Sequence, residues 1–125
     1  MNIAIRNNDD YARSHAASWD GQKLTLTPAF DLTSGPRPED SFRQALAHGR
    51  DRGGVPGEEK SNLAVLVAES EIYGLSGSAA QDVVDQLVAN IEDNWDDAAD
   101  TACPSAADKL KLRENQMLPR AAFLD

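Results

Sequence analysis

Two aspartates, Asp9 and Asp31, lie on either side of a predicted hairpin, and this layout is typical of a phosphoryl-transfer centre. Asp9 lies in the run Asn-Asn-Asp-Asp-Tyr-Ala-Arg-Ser-His at residues 7–15, and Asp31 lies in Leu-Thr-Pro-Ala-Phe-Asp-Leu at residues 26–32. In such a centre one aspartate accepts the proton of the attacking hydroxyl, and another holds magnesium on the phosphates. Between them the layout expects an asparagine, five residues after the first aspartate, where this chain has Ser14.

These residues also have plainer structural interpretations. A cluster such as Asn-Asn-Asp-Asp is most often a turn or a helix cap, and Asp31 by itself would more often cap a strand end. A serine hydroxyl is a weaker ligand for a hard cation than an amide oxygen, so Ser14 predicts weakened metal binding. The occurrence of both aspartates across one hairpin nevertheless favours phosphoryl transfer.

The elements that must position these carboxylates are short. Residues 16–19 and 23–27 are predicted strands, and the Asp-Gly pair between them predicts a hairpin turn, because glycine adopts positive φ at low cost. Pro28 lacks a backbone N–H and ends the second strand, so Asp31 lies where the chain leaves the sheet. The apolar residues 2–6 are predicted to be the end of a helix that runs into the loop of the first aspartate.

The middle of the chain is loop-like, and its second half is helical. Residues 33–57 contain glycine- and proline-rich stretches, with one short helix predicted over residues 39–48. Three helices are predicted in the second half, and in the second of them apolar residues recur every three or four positions, which predicts one face towards a partner and one towards water. The first helix is predicted over residues 62–72, with Ser61 at its start and Gly74 as its C-terminal cap. The second is predicted to begin at Ser76 or Ser78 and to end near Trp95. The third is predicted over residues 106–117, with Pro104 at its start.

Composition and charge limit the classes of function. The 125 residues suit one domain, and the formal net charge of −9 disfavours independent binding to nucleic acids or anionic membranes. No apolar run is long enough to span a bilayer, and no signal-peptide pattern opens the chain. Cys103 is the only cysteine, so an internal disulfide and a cysteine metal cluster are excluded. These features predict a cytoplasmic location.

The other candidate residues point to chemistry less strongly. His15 and His48 are too far apart for a local metal motif, so surface positions are expected for both. Arg37 lies between two prolines and suits either a phosphate or a structural ion pair. The acidic residues at 92–100 predict a solvated helix face, with a basic partner as the alternative. The chain has no G-x-G-x-x-G, Walker or zinc-ligand spacing.

The two aspartate segments resemble those of one kinase family. Residues 7–15 are similar to the Asn-Thr-Asp-Asp-His-x-Lys/Arg-Asn-His segment of the HipA-family toxin kinases. Residues 26–32 are similar to that family's Leu-(Thr/Ser)-Pro-Ala-Tyr-Asp-Leu segment, and Pro36-Arg37 matches the Pro-Arg that follows it. The helices that follow resemble the family's helical tail in pattern. These bacterial serine/threonine protein kinases belong to toxin–antitoxin modules, in which a DNA-binding antitoxin binds and silences them.

The resemblance implies transfer of phosphate from ATP to a protein serine or threonine, with Mg²⁺ and ATP as cofactors. It implies Asp9 as the catalytic base, with Asp31 and Ser14 at the metal-ligand positions. Ser14 stands where the family has its metal-binding asparagine, and Tyr11 where it usually has histidine. The family's ATP-binding loop and phosphate-contacting lysine precede the matched segment. We therefore expect a truncated C-terminal portion that is inactive as this chain alone.

The expected fold is mainly α with a small β-hairpin, resembling the C-terminal lobe of a HipA-like or protein-kinase-like fold without its N-terminal ATP lobe. One HipA-like domain is expected over residues 1–125, with a catalytic-loop and metal-aspartate segment at 1–32, a loop-rich segment at 33–60 and a helical tail at 61–118. Without the other lobe, apolar surface is expected to be exposed. It should lie around Ile3, Ile5, Trp19 and Leu24.

Three roles remain open from the sequence. The chain is an enzyme segment that works only together with a polypeptide carrying the ATP lobe, or it is a non-catalytic helical module that binds an antitoxin or a kinase partner. The third alternative is a decayed gene fragment. Co-purification with a partner that is unaffected by replacement of both aspartates with alanine would favour the interaction module. An unfolded product would favour the fragment.

Overall fold

The computed structural model describes residues 1–35, 43–49, 60–102 and 105–123, and it is mainly helical with one small hairpin, as predicted. The strands are β1 (Ala17–Trp19) and β2 (Leu24–Leu26). The helices are α1 (Leu63–Ala68), α2 (Gly77–Ala102) and α3 (Ala106–Gln116). Short 3₁₀ turns cover Ala12–Ser14, Ser70–Tyr73 and Arg120–Ala122. None of the described helices has both the length and the apolar character that a membrane span requires.

Residues 2–6 form one hydrogen-bonded turn of the kind that ends a helix. The N–H of Asn7 donates to the carbonyl of Asn2 at 2.9 Å, and the N–H of Arg6 donates to that of Ile3 at 3.3 Å. This is the bonding pattern of a Schellman motif. Arg6 adopts the left-handed conformation that the motif requires, with φ of 55°. Residues 2–6 therefore form a single turn with this ending, and no helix is assigned to them.

The described core is small and brings the two ends of the chain together. Ile3 is 6% exposed and packs with Leu63 of α1 and with Ala122 near the C-terminus. Three partly buried residues pack against this cluster: Leu66, Val84 and Val88. Ile5 is also buried. The expectation that Ile3 and Ile5 would be exposed is wrong, because α1 and the C-terminal turn cover the N-terminal turn.

Helix α1 is capped by Asn62 rather than by the predicted Ser61. The Asn62 side chain accepts a hydrogen bond from the N–H of Val65 at 2.9 Å, which satisfies one of the free donors at a helix start. The Ser61 hydroxyl instead accepts a hydrogen bond from Gln44 at 2.8 Å. The chain continues into a 3₁₀ turn, and Gly74 ends it with φ of 72°, as its predicted capping role requires.

The second and third helices largely follow the predicted pattern. Ser76 rather than Ser78 caps α2, because its Oγ accepts a hydrogen bond from the N–H of Ala79 at 3.2 Å. The helix passes Trp95, which is half-buried, and continues to Ala102. Ser105 caps α3, which ends one residue before its predicted end. Pro104 lies outside the described residues.

The hairpin has one apolar face that is exposed to solvent. Pairing of Ala17 with Leu26 and of Trp19 with Leu24 places all four side chains on the same face. Trp19 is 61% exposed and Leu24 is 65% exposed, which confirms the expectation for these two residues. Gly21 in the turn has φ of 100°, as predicted.

Only part of the predicted loop belongs to the described residues. Residues 43–49 form no helix, so the helix predicted over 39–48 is wrong for its described part, and the rest of it lies outside the described ranges. Arg43 instead forms an isolated antiparallel bridge with Lys60. Arg37 also lies outside the described residues.

The hairpin turn is expected to weaken at low pH through Asp20. The N–H groups of Lys23 and Gln22 each donate to Asp20 Oδ1 at 2.8 Å, and these bonds hold the pKa of Asp20 below its ordinary value of 3.8. Because the pKa is lowered in the folded state, the Asp20 carboxylate stabilises the turn fully above its unfolded-state pKa. This stabilisation is lost as pH falls through the folded-state pKa. NMR titration of the carboxyl groups should show this lowered value.

The amide signals of the turn should shift with the Asp20 carboxyl. An Asp20→Asn variant keeps an acceptor oxygen but does not titrate, so its turn signals should stay constant over the same pH range. A titration midpoint at or above 3.8 would contradict the expected bonding.

Candidate functional site

Asp9 lies in an exposed loop whose base is buried. Asn7 is 3% exposed and Asn8 is 9% exposed, whereas Asp9 is an exposed residue. The loop then enters the 3₁₀ turn Ala12–Ser14, and the N–H of Tyr11 donates to the carbonyl of Asp9 at 2.9 Å. The buried asparagines anchor the loop, and Asp9 lies on its exposed side.

Asp31 follows the hairpin in an unusual backbone conformation. Its φ is 56°, in the left-handed region that aspartate tolerates better than most residues. Such a conformation costs about 1–3 kcal/mol and persists where surrounding contacts hold it. One such contact is a hydrogen bond at 3.4 Å from Asn7 Nδ2 to the Asp31 carbonyl.

The side chain of Asn7 joins the segments of the two aspartates. Its Oδ1 accepts a hydrogen bond from the N–H of Asp9 at 3.2 Å. Its Nδ2 donates to the Asp31 carbonyl and to Asn2 Oδ1, the latter at 3.1 Å. This positioning role was not predicted, because a run of asparagine and aspartate indicates a turn without showing which amide is buried. The signal that the sequence offered is the position of Asn7 at the start of that run.

Ser14 and Asp31 are in direct contact. The Ser14 hydroxyl donates to Asp31 Oδ2 at 3.3 Å. The structure therefore brings two of the three predicted site residues together, and Asn7 links the third, Asp9, to them through the backbone. The roles of base and metal ligand remain predictions.

The 3.3 Å between Ser14 Oγ and Asp31 Oδ2 is an ordinary hydrogen-bond distance, and it is also close to the spacing of two oxygens on one magnesium ion. Magnesium binds oxygen at about 2.0–2.1 Å in octahedral geometry, so two adjacent ligand oxygens are about 3 Å apart. Among the described residues, no group of three or more histidine, cysteine, aspartate or glutamate side chains could hold a metal. A cation here would therefore need water or phosphate oxygens as well, which is how magnesium is usually bound in phosphoryl-transfer sites.

Asp10 and His15 form a second polar pair beside the candidate site. His15 Nε2 lies 3.4 Å from Asp10 Oδ1, and its Nδ1 lies 3.1 Å from the Tyr11 carbonyl. The Arg13 guanidinium stacks over the Tyr11 ring at 4.2 Å from its centroid. His15 is exposed, as predicted, and its contacts stabilise the shape of the loop.

The end of α3 braces the candidate site from behind. Arg6 donates from one guanidinium nitrogen to the carbonyl of Asn115 at 2.6 Å, and the N–H of Leu118 donates to the carbonyl of Ala4 at 2.7 Å. On the other side, the Ser34 hydroxyl donates to the side-chain oxygen of Gln116 at 3.0 Å. These contacts hold the turn before Asp9 and the segment after Asp31 to one helix end.

Comparison with known families identifies one matching domain family. The model of the HipA-like C-terminal domain matches residues 1–95, which include the Asp9 loop, the hairpin, Asp31, α1 and most of α2. No curated protein and no solved structure matches the chain. The matched region covers well over half of the sequence. The chain therefore belongs to the family of HipA-like C-terminal domains.

Proposed function

We propose that Asp9, Asp31 and Ser14 form part of a serine/threonine kinase centre of the HipA type, with Asp9 as the base and with Asp31 and Ser14 as the metal ligands. The contact between Ser14 and Asp31 is the observation that carries this proposal. The bridge from Asn7 to both aspartate segments supports it, since two groups that act on one substrate must be held in a constant relation. Family membership supports the reaction class.

In the proposed reaction a protein hydroxyl attacks the γ-phosphorus of ATP, the bond to ADP breaks, and the hydroxyl proton passes to Asp9. The exposed position of Asp9 suits this role, because a protein side chain can approach it. Asp31 and Ser14 would hold Mg²⁺, which neutralises phosphate charge when bound. Asn7 holds the Asp9 loop and the Asp31 segment in a fixed relative position during the transfer.

The proposed site needs positive charge from outside these residues to hold ATP. The chain has a net charge of −9, and the Arg13 guanidinium in the Asp9 loop is stacked on Tyr11. We infer that a glycine-rich loop and a lysine for the phosphates come from outside these residues. On this proposal the 125 residues alone transfer no phosphate, because loss of phosphate-binding cations lowers phosphoryl-transfer rates by orders of magnitude.

Metal binding by Asp31 and Ser14 can be tested without nucleotide. Mn²⁺ prefers the same oxygen ligands as magnesium and broadens the NMR signals of nearby nuclei. We expect Mn²⁺ to broaden the signals of Ser14 and Asp31 first. Asp31→Asn should weaken binding by roughly tenfold, because ligand charge sets the affinity of hard-cation sites. Ser14→Asn should tighten it by roughly threefold to tenfold, because an amide oxygen is the better ligand.

The matched control is Ser14→Ala, which removes the oxygen without adding an amide and should weaken binding. Broadening centred on the acidic residues 92–100 of α2, with Ser14 and Asp31 unaffected, would overturn the assignment. Equal affinities for Ser14→Asn and Ser14→Ala would show that position 14 is not a ligand.

A further inference from the structure

The backbone of Asp31 is strained, and the hydrogen bonds that Asp31 itself makes are long. Its φ of 56° lies in the left-handed region, which costs free energy for a residue with a side chain. The bond from Asn7 Nδ2 to the Asp31 carbonyl is 3.4 Å long, and the bond from the Ser14 hydroxyl to Asp31 Oδ2 is 3.3 Å long. Both exceed the most common lengths of such bonds. By themselves they give the strained residue limited support.

The segment around Asp31 is held more firmly at two other points, one on each side. Before it, at the end of the hairpin, the N–H of Thr27 donates to the facing strand segment at 2.9 Å. After it, the Ser34 hydroxyl donates to Gln116 Oε1 at 3.0 Å. Between these two points, within the part of the chain that the structure describes, only Asp31 takes part in hydrogen bonds. The Ser34 bond therefore fixes the path of the chain three residues after the strained position.

Gln116 is a firm support because the end of α3 is attached to the N-terminal turn. The N–H of Leu118 donates to the carbonyl of Ala4 at 2.7 Å, and the carbonyl of Asn115 accepts from Arg6 at 2.6 Å. Helix α3 has no buried residue of its own. These polar contacts, rather than a packed helix face, therefore place the helix end at the candidate site.

The same helix end supports both aspartate segments. Arg6 directly precedes Asn7, whose side chain bonds to the backbone of each aspartate. Gln116 holds the second of these segments through Ser34. The family match ends at residue 95, so a part of the chain that the family model does not cover contributes this support.

We propose that Gln116 is a positioning residue of the candidate site. By accepting a hydrogen bond from Ser34, it holds Asp31 in the left-handed conformation that keeps the Asp31 carboxylate beside Ser14. The role requires an acceptor oxygen at position 116, because the Ser34 hydroxyl is the donor. The consequence for metal binding rests on the proposed function. The backbone conformation of Asp31 does not, since NMR detects it without ATP or metal.

The test uses NMR of the full chain and follows the backbone of Asp31 directly. In the left-handed region the N–H and Cα–H hydrogens of a residue are close together, so the NOE between them is strong. Gln116→Met removes the acceptor at similar length, so the Asp31 NOE should fall towards that of extended residues. Gln116→Glu keeps an acceptor oxygen and should retain the strong NOE. Arg6, with φ of 55°, provides an internal reference in each spectrum.

Two further variants separate this bond from a general effect on stability. Ser34→Ala removes the donor and should reproduce the loss seen with Gln116→Met, and the double variant should lose little more than either single variant. Gln86→Met replaces an exposed glutamine of α2 and should leave the Asp31 NOE unchanged. Circular dichroism verifies that each variant is folded, and Ser34→Ala carries the test if Gln116→Met is not.

Mn²⁺ binding gives a second readout at the candidate metal site. Gln116→Met should weaken it by roughly threefold, less than removal of a ligand itself, because groups that orient a metal ligand also contribute to affinity. Gln116→Glu should restore it. A lost Asp31 NOE with unchanged Mn²⁺ affinity would support the positioning role and would contradict the assignment of Asp31 and Ser14 as metal ligands. The two proposals can therefore fail separately.

Two results would overturn the positioning role of Gln116. The first is a strong Asp31 NOE that persists in both Gln116→Met and Ser34→Ala. The second is an equal loss of this NOE in Gln116→Met and Gln116→Glu, because the acceptor oxygen would then not be its cause.

Discussion

Replacing Asn7 with alanine is expected to lower the free energy of unfolding by about 2–3 kcal/mol, a large effect for a chain with so small a core. The side chain is 3% exposed and makes three hydrogen bonds, to Asn2, to the Asp9 backbone and to the Asp31 backbone. Alanine would remove the side-chain amide, so these three partner groups would lose a hydrogen bond in a region that water reaches poorly. Urea unfolding followed by circular dichroism measures the loss.

The matched control is Asn94→Ala. Asn94 is an exposed asparagine on α2 whose amide donates to the carbonyl of Asn90 at 2.8 Å. Its replacement removes a hydrogen bond of the same type where water can substitute, so a change below about 0.5 kcal/mol is expected. Equal losses for the two variants would contradict the positioning role of Asn7.

An Asn7→Asp variant separates the two halves of the bridge. A carboxylate can still accept from the N–H of Asp9, but it cannot donate to the Asp31 carbonyl. The Asp31 segment should therefore lose its support while the Asp9 loop keeps its own. NMR should show signal changes concentrated at Asp31 and Ser14. Changes confined to the Asp9 loop would contradict this division.

Asp9→Asn is expected to reduce phosphate transfer by about 10²–10⁴-fold, the usual contribution of a general base. The assay joins the ATP-binding loop and lysine of a HipA-family kinase upstream of Met1 and follows transfer of labelled phosphate to protein serine or threonine. Asparagine keeps the size of the side chain but cannot take the hydroxyl proton, so substrate binding should be little changed.

The neighbouring carboxylate provides the control for this prediction. Asp10 lies 3.4 Å from His15 and has the same chemistry one residue away. Asp10→Asn should lower the transfer rate by less than about tenfold, well short of the loss expected for a general base. Similar losses for Asp9→Asn and Asp10→Asn would show that the loop, rather than the Asp9 carboxylate, matters. Absence of transfer by the joined protein before mutation would overturn the proposed function itself.

The helices and the hairpin were predictable from the sequence because their signals are local. The Asp-Gly pair, Gly74, Ser76 and the three- to four-residue apolar periodicity each act within a few residues of the backbone that they shape. The cap of α1 was instead decided by a contact between residues that are distant in the sequence. Ser61 and Asn62 are both good capping residues, and only the contact of Ser61 with Gln44 decides which of them caps α1.

The sequence by itself determined which groups the candidate site offers, namely two aspartates and one serine. Only the tertiary structure decided how these groups are held. Asn7 meets Asp31 across 24 positions, and Arg6 meets Asn115 across 109 positions. The burial of Ile3 likewise depends on Ala122 at the other end of the chain. Contacts between such distant residues arise from the packing of finished elements, so no local pattern in the sequence records them.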